Sequence, residues 1–362
     1  MTQVLTVHQS EEPIYNIRLE DSYQNLLHIF DRVHILGRKV CIVTDSNVGK
    51  LYLGNVKDIL KQEASKVETF VFVAGEERKT LDTVKDLYEQ LILSEFDRKD
   101  VLIALGGGVV GDLTGFVAGT YLRGIPYIQL PTSLLSMVDS SIGGKTGVDF
   151  DAYKNMVGAF YQPQGVYINL GTLHSLDEKQ FISGLGEIIK HGLIKDWEYY
   201  EWIKANQRKI KQKDLMTLQE LVYRSCVIKK EVVEHDFREN GERALLNFGH
   251  TIGHSVEKLM KFQLTHGECV AIGSVAVTYL SYMRGNITKD ELDDVVGTID
   301  GFQLPTTITG LLKEEILKVT KLDKKRNGGN INFILLEEIG KAVIDSSVTD
   351  EEILKTLDYI LC

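Results

Sequence analysis

Short apolar runs alternate with amphipathic stretches through the first half of the chain. Runs rich in β-branched residues predict strands at Lys39–Asp45, Glu68–Val73, Val101–Leu105 and Tyr127–Leu130. Between the second and third of these strands, Thr80–Ser94 has leucine and valine at helical spacing. This alternation predicts an α/β domain whose parallel sheet is covered by helices on both faces.

Long amphipathic stretches dominate the second half of the chain. One example is Leu215–Val233, and strand signals are rare until Ile331–Leu336. The uncharged run Cys269–Met283 predicts a buried helix, because it is short for a membrane span and contains polar residues. We therefore predict two domains, an α/β domain over residues 1–176 and a mostly α-helical domain over residues 177–362.

The overall charge argues against polyanionic partners. The 362 residues include 41 Lys and Arg and 51 Asp and Glu, which gives a net charge of −10. We therefore expect neither nucleic-acid nor membrane binding, and an anionic ligand would need a local cluster of basic side chains. Four scattered cysteines and an N-terminus without an apolar signal segment predict a cytoplasmic protein with reduced thiols.

Three of the nine histidines lie in one stretch, Leu246–Gly273. His250 and His254 share one face of a predicted helix, and His266 opens a second apolar run after a short polar break. A helix, a turn and a returning helix would bring the three rings together. Neutral imidazole is a preferred zinc ligand and a catalytic zinc usually takes three protein ligands, so the stretch indicates a metal site. The alternative is that two surface or core histidines fall four residues apart by chance.

A glycine-rich turn follows the third predicted strand. Gly106–Gly111 matches G-x-G-x-x-G directly after Val101–Leu105 and before an apolar, helix-like run. Such a turn lets a pyrophosphate approach the backbone and the N–H groups of a helix N-terminus. Asp45 ends an earlier strand, and its carboxylate would accept from the ribose of NAD and repel the 2′-phosphate of NADP. The pattern predicts a Rossmann-like NAD-binding domain, the alternative being a tight turn that binds nothing.

A segment of small polar residues, Pro131–Asp149, follows the fourth predicted strand. It carries Asp139 and Lys145, and Lys154 and Asn155 come soon after it. Because ligands bind at the carboxyl ends of strands in open α/β sheets, the segment predicts a ligand-binding loop. The alternative is a flexible surface loop.

Four motifs, taken together and in order, resemble the 3-dehydroquinate synthase family of the shikimate pathway. They are GGGVVGD, PTSLLSMVDSSIGGKTGVD, GEIIKHG and RALLNFGHTIGHSVE, and the resemblance runs from about Asp45 to Lys325. It implies an NAD-binding α/β domain, a helical metal-binding domain and an active site in the cleft between them. It also implies a homodimer and one divalent metal, zinc or cobalt.

The resemblance implies a lyase whose substrate is an anionic sugar-acid phosphate. The family converts 3-deoxy-D-arabino-heptulosonate 7-phosphate to 3-dehydroquinate and phosphate, a step toward the aromatic amino acids. NAD oxidises the substrate transiently, phosphate is eliminated, the hydride returns, and an internal aldol step closes the new ring.

The resemblance also implies roles for single residues. Glu187, His250 and His266 match the metal ligands, which revises the three-histidine site and leaves His254 for acid/base or substrate contact. Arg123 resembles an arginine that reaches the active site of the partner subunit. The positions that match substrate contacts are Asp139, Lys145, Asn155, Lys190, Lys229, Arg243, Asn247 and one lysine of the pair Lys324 and Lys325, of which we favour Lys325.

The cofactor positions follow from the same resemblance. They are Asp45, Gly75, Glu76, Glu77, Arg78, Lys79, Gly107, Gly108, Val109, Val110, Gly111, Asp112, Thr132, Ser133, Lys145, Lys154, Thr172, Leu173, His174 and Ser175. The family often has Asp where this chain has Asn169, which leaves the contacts of Thr172–Ser175 open.

Three other functions fit part of the pattern. A related cyclase that acts on glucose 6-phosphate takes a substrate without a carboxylate, and Arg243 and Asn247 favour a carboxylate. A metal-dependent polyol dehydrogenase would consume NAD stoichiometrically. A catalytically inactive NAD-binding regulator would lack a metal ligand or Lys145, and this chain has them all.

Overall fold

The computed structural model divides into two compact units, Met1–Leu176 and Asp177–Cys362. It describes residues 2–151, 153–239, 241–261, 263–326 and 331–362, and for residues 323–326 it describes the backbone alone.

Strands and helices alternate in the first unit. In chain order they are β1 (Gln3–Gln9), β2 (Glu12–Glu20), β3 (Lys39–Asp45), α1 (Gly54–Leu60), β4 (Lys66–Phe72), α2 (Leu81–Leu93), β5 (Val101–Gly106), α3 (Gly108–Thr120), β6 (Tyr127–Pro131), β7 (Lys145–Phe150), β8 (Tyr153–Phe160) and β9 (Gly165–Asn169). The four strands predicted in this half are present, although β4 begins and ends slightly earlier than predicted.

A seven-stranded sheet in the order β1-β2-β9-β6-β5-β3-β4 forms the centre of the unit. Its strands from β2 to β4 are parallel, as predicted, and only the edge strand β1 runs antiparallel to its neighbour among the described strands. The chain continues from β3 outward to β4 but from β5 in the opposite direction to β6. Ligands of open α/β sheets bind at such a reversal, next to the carboxyl ends of the strands.

Two apolar clusters cover the two faces of this sheet. Val40 and Ile42 of β3 lie in one cluster, and Cys41 and Val43 lie in the other. All four side chains are inaccessible to solvent, because successive residues of a strand point to opposite faces. The predicted burial of the sheet on both faces is therefore confirmed.

The second unit is mostly helical. In chain order its elements are α4 (Glu178–Lys195), α5 (Trp197–Ala205), α6 (Gln207–Lys211), α7 (Leu215–His235), α8 (His250–Leu259), α9 (His266–Met283), α10 (Lys289–Gly301), α11 (Lys313–Arg326), β10 (Phe333–Glu338), β11 (Lys341–Asp345) and α12 (Asp350–Ile360). The helix predicted at Leu215–Val233 and the buried helix predicted at Cys269–Met283 correspond to α7 and α9. Over the described residues, every helix is too short or too polar to cross a membrane.

Candidate active site

Helices α8 and α9 bring the three histidines together. Gly249 precedes α8 with φ +76°, a left-handed conformation that favours glycine. His250 is the first residue of α8 and His266 the first of α9, whose start is fixed by a capping box at Thr265. The ring centres of His250 lie 5.0 Å from His254 and 5.3 Å from His266. The predicted helix–turn–helix and the clustering of its rings are confirmed.

Glu187, on α4, completes this histidine cluster. Its Oε1 atom lies 3.2 Å from Nε2 of His266 and 3.5 Å from Nε2 of His250, and its side chain is fully buried. Lys190, one helical turn further along α4, forms an ion pair with the same carboxylate. One ligand atom from each of His250, His254 and His266 also lies within 4.8 Å of the others. The three-histidine set and the Glu187 set predicted from the resemblance are thus neighbours in one buried cluster.

The charges in this cluster balance one another. Burial raises the pKa of Glu187, but Lys190 and His250 outweigh it and hold that pKa well below the usual range. Burial and Lys190 lower the pKa of His250 well below its ordinary value. Burial also lowers the pKa of His266, yet Glu187 and Glu257 outweigh it and raise that pKa to about 9. At neutral pH Glu187 is ionised and His250 is neutral, which are states that bind metals, whereas His266 carries an additional proton that a bound metal would displace.

Among its described residues, the second unit buries three cationic side chains, and one of them, Lys190, contacts the cluster. The side chain of Lys190 is 1% exposed, and its ammonium donates to the carbonyl of Leu246 at 2.7 Å. Arg243 and Lys229, both predicted to contact substrate, are also buried. Lysine and arginine are seldom buried, so the second unit holds an unusual amount of positive charge away from water.

The turn before α8 orders Arg243 and Asn247 of the predicted substrate set. Arg243 donates from Nη1 to the carbonyl of Phe237 at 2.8 Å, and Asn247 donates from Nδ2 to Oε1 of Glu239 at 3.1 Å. Sequence reasoning missed Glu239, because no spacing or motif links it to Asn247. The predicted contact of Lys325 lies outside the described side chains.

In the first unit, the glycine-rich turn joins β5 to α3 as predicted. Gly107 immediately precedes α3 and has no side chain with which to cap the first turn of that helix. The first-turn N–H groups of this helix, which has 13 residues, are therefore available to an anion. Val110, one of the predicted cofactor residues, has a fully buried side chain, so only its backbone could contact a ligand.

A buried ion pair connects the Gly75–Lys79 segment to α3. The Lys79 ammonium lies 2.7 Å from Asp112 and donates to the amide oxygen of Asn155 at 2.6 Å. Glu76 lies 4.0 Å from both Lys79 and Lys154. Asn155, predicted as a substrate contact, thus lies among predicted cofactor residues, a contact between distant segments that the sequence pattern does not reveal.

The carboxyl ends of β3, β6 and β9 carry the remaining predicted cofactor residues. Asp45 accepts through Oδ1 from the backbone N–H groups of Asn47 and Val48 at 2.8 and 3.0 Å. The Thr172 hydroxyl donates to the carbonyl of Asn169 at 2.8 Å and lies 3.3 Å from the carbonyl of Thr132, so the ends of β6 and β9 are close together. Leu173 is fully buried, which leaves only its backbone for a ligand.

Asn169 takes a structural role in the same region. Its side chain accepts from the backbone N–H of Gly171 at 3.0 Å and begins the short helical turn Leu170–His174. Ser175 follows that turn, and its hydroxyl is bonded to the hydroxyl of Tyr52. Asn169 therefore shapes the Thr172–Ser175 segment, whose contacts the sequence left open.

The segment Pro131–Asp149 is more ordered than the predicted loop. Asp139 lies in a helical turn, Ser136–Ser140, and Lys145 begins β7, which pairs with β8. The prediction of a loop over the whole segment was wrong, because strand pairing with β8 cannot be read from small polar residues alone. Arg123 lies apart from these residues in the chain, exposed, with φ +67°.

Models of the 3-dehydroquinate synthase family match the chain in two adjoining parts. The N-terminal model matches residues 69–183, and the C-terminal model matches residues 184–326. A 3-dehydroquinate synthase of Acetivibrio thermocellus is 42% identical over 341 residues, which is 94% of each chain. The chain belongs to the 3-dehydroquinate synthase family. The resemblance found in the four sequence motifs is thereby confirmed.

Solved structures of two cyclases share the fold of this chain. ValA, a 2-epi-5-epi-valiolone synthase of Streptomyces hygroscopicus described with NAD+ and Zn2+ bound, is 28% identical. Its TM-score is 0.88, over 98% of this chain and 99% of that one. A 2-deoxy-scyllo-inosose synthase complexed with carbaglucose-6-phosphate, NAD+ and Co2+ gives a TM-score of 0.89 over 98% and 99% of the two chains. At 23% identity this second likeness concerns the fold alone. The predicted fold class, an α/β domain followed by a helical domain, is confirmed.

Proposed function

We propose that this chain is a 3-dehydroquinate synthase, a carbon–oxygen lyase that depends on NAD and one divalent metal. Its substrate is 3-deoxy-D-arabino-heptulosonate 7-phosphate, and its products are 3-dehydroquinate and phosphate. Family membership supports this reaction. The observation that carries the proposal is the buried cluster of Glu187, His250 and His266 beside Lys190.

The proposed metal ligands are Glu187, His250 and His266. One carboxylate oxygen and two imidazole nitrogens form a donor set that suits zinc or cobalt, and the ionised Glu187 supplies the charge that a cation requires. A bound metal would polarise the substrate hydroxyl that is oxidised. We assign His254, next to this set, to substrate contact or proton transfer. The Zn2+ described for the ValA structure supports the same choice of metal here.

We propose that NAD binds the first unit at the carboxyl ends of β3 and β5. The backbone N–H groups at the start of α3 would bind the pyrophosphate, and Oδ2 of Asp45 would accept from the ribose. Lys79 and Asp112 order the turn beside them through their ion pair. NAD would oxidise a ring hydroxyl transiently and finish unchanged. The NAD+ described for the ValA structure supports this cofactor.

The anionic substrate would be held mainly by cations. In the second unit, Arg243 is suited to bind a carboxylate through two parallel hydrogen bonds, and Lys190 and Lys229 add buried positive charge. Asn247 offers an amide that Glu239 holds in place. In the first unit we assign Asp139, Lys145 and Asn155 to substrate contact. A cyclase that acts on glucose 6-phosphate would leave Arg243 without a carboxylate, which favours the keto-acid substrate.

Phosphate release tests the proposed reaction directly. The keto-acid phosphate is supplied with zinc and a small, catalytic amount of NAD, and phosphate and NADH are followed together. We expect many phosphates per NAD and no net NADH. Accumulation of NADH in proportion to substrate would indicate a polyol dehydrogenase. Binding of NAD without any turnover would indicate a regulator, and either result would refute the proposal.

We also propose a homodimer in which Arg123 reaches the partner's active site. The support is its exposed position in a turn where Leu122, Arg123 and Gly124 all have positive φ. Arg123→Ala and His250→Ala should each be inactive alone, but an equal mixture should recover about a quarter of wild-type activity, since half the dimers regain one intact site. No recovery after subunit exchange would refute the shared site. A cytoplasmic location stays a prediction from the cysteine pattern.

A further inference from the structure

A buried carboxylate on α8 lies on the same side of the helix as the metal-site histidines. Glu257 follows His250 by seven residues and His254 by three, a spacing that places all three on one helical face. Its side chain is 8% exposed, and its Oε2 atom lies 3.7 Å from Nδ1 of His266. Carboxylates are almost never buried to this extent unless they are paired, so the position of Glu257 beside the imidazole requires an explanation.

The two nitrogens of each histidine ring face different groups. In His266, Nε2 faces Glu187 at 3.2 Å and Nδ1 faces Glu257 at 3.7 Å. In His250, Nε2 faces the same Glu187 at 3.5 Å and Nδ1 lies 3.1 Å from the carbonyl oxygen of Phe248. Both rings therefore direct Nε2 toward the shared carboxylate and present Nδ1 to an acceptor. When a metal takes the place of the proton at Nε2, an acceptor at Nδ1 keeps the remaining proton of the ring on Nδ1.

We propose that Glu257 is a positioning residue of the metal site. Its charge keeps a proton on Nδ1 of His266 and holds the ring with Nε2 directed toward Glu187, as the Phe248 carbonyl does for His250. At 3.7 Å the contact is longer than a hydrogen bond, so Glu257 acts on the ring through its charge. This inference rests on the proposed metal site, and it assigns Glu257 no contact with substrate or metal.

A second carboxylate near the start of α9 provides the contrast. Glu268 accepts from the backbone N–H of Thr265 at 2.6 Å and from its hydroxyl at 2.9 Å, so its role is to cap the helix. Glu268→Gln and Glu257→Gln each remove one negative charge close to His266. Glutamine is also accepted in a capping box, so Glu268→Gln is a matched control for charge and size.

Measurements of zinc affinity distinguish the roles of Glu257 and Glu268. The zinc dissociation constants of wild type, Glu257→Gln and Glu268→Gln are measured by competition with a chromophoric chelator. We expect Glu257→Gln to weaken zinc binding by about 10- to 100-fold, as for other partners of metal-bound histidines. Glu268→Gln should bind zinc like wild type, and Glu257→Asp, which keeps the charge, should recover part of the loss.

Spectroscopy adds measurements that do not depend on turnover. In cobalt-substituted protein the visible absorption bands should change in Glu257→Gln and stay unchanged in Glu268→Gln, because only the former alters the ring of a ligand. In zinc-loaded wild type, nitrogen-15 NMR should find the His266 proton on Nδ1, a result that needs no variant to fold. A proton on Nε2, or wild-type zinc affinity and cobalt spectrum in Glu257→Gln, would overturn the inference and leave the proposed function standing. Wild type without stoichiometric zinc would overturn both.

Discussion

Replacing Lys79 with methionine tests the ion pair that links the Gly75–Lys79 segment to α3. The Lys79 side chain is 4% exposed, and its ammonium lies 2.7 Å from Asp112. Burial lowers the pKa of Lys79, but Asp112 and Glu76 outweigh it and raise that pKa above the ordinary value, so the lysine is charged at neutral pH. Methionine has a similar length without the charge, so the substitution removes the ion pair and keeps much of the packing.

We expect Lys79→Met to lower the free energy of unfolding by about 3 kcal/mol. Removing one member of a buried ion pair costs roughly 3–5 kcal/mol, because the other charge stays buried. Asp112 keeps 19% exposure and remains partly solvated, so the low end of that range applies. Removing both charges in Lys79→Met with Asp112→Asn should restore about 1–3 kcal/mol relative to the sum of the single effects.

Differential scanning calorimetry at neutral pH measures this effect. A loss of about 3 kcal/mol in the free energy of unfolding should lower the unfolding temperature of a unit of this size by roughly 6–12 °C. Lys61→Met is the matched control, because Lys61 pairs with Asp58 at 2.9 Å but is 53% exposed. An exposed pair of this kind contributes about 0–1 kcal/mol to the free energy of unfolding, so the control should barely change the unfolding temperature. Equal unfolding temperatures for Lys79→Met and Lys61→Met would refute the reasoning. So would a double variant whose loss of unfolding free energy is the sum of the two single losses.

Three further predictions concern charge, metal and cofactor. Arg284 holds the pKa of Glu352 at about 2, so stabilisation by this pair is complete above pH 4.5 and is lost as the pH falls toward 2. The free energy of unfolding of Glu352→Gln at pH 7 should therefore be about 1–2 kcal/mol lower than that of wild type. Urea titrations should show this difference shrinking below pH 4.5, and a difference that stays constant would contradict the prediction. His250→Ala should lose stoichiometric zinc and His254→Ala should keep it, as measured by metal analysis, and the reverse result would exchange their roles. Calorimetry should give tighter binding of NAD than of NADP and a smaller difference in Asp45→Asn, whereas equal wild-type dissociation constants would count against the ribose contact.

The sequence predicted best the elements whose burial is visible in a short run of consecutive residues. The bounds of β3, Lys39–Asp45, agree with the apolar run that predicted it, and β5 begins at Val101 as expected. Such strands are buried on both faces, so their side chains form a continuous apolar run. The clustering of His250, His254 and His266 was predictable because a helical repeat and one turn are enough to produce it.

The elements that the sequence did not predict depend on distant partners. Strand β2 pairs with β9, so Asn16 meets Gly165 across most of the first unit. β8 contains only exposed and half-buried residues, and one of them is Gly158, a residue type that weakens strand signals. Residues that act through another side chain, such as Glu239 and Glu257, were missed for the same reason. Their roles appear only when the fold brings the second partner close.

An acidic protein can select an anionic substrate only through local charge. The net charge is −10, so the surface field as a whole repels a sugar-acid phosphate. The buried Lys190, Lys229 and Arg243 in the second unit counter this, since charges away from water interact more strongly and are screened less by salt. Glu187 pairs with Lys190, and a divalent ion bound to that carboxylate would add positive charge. Selectivity for anions would therefore come from a few desolvated cations that the fold keeps inside, which act against the acidic surface.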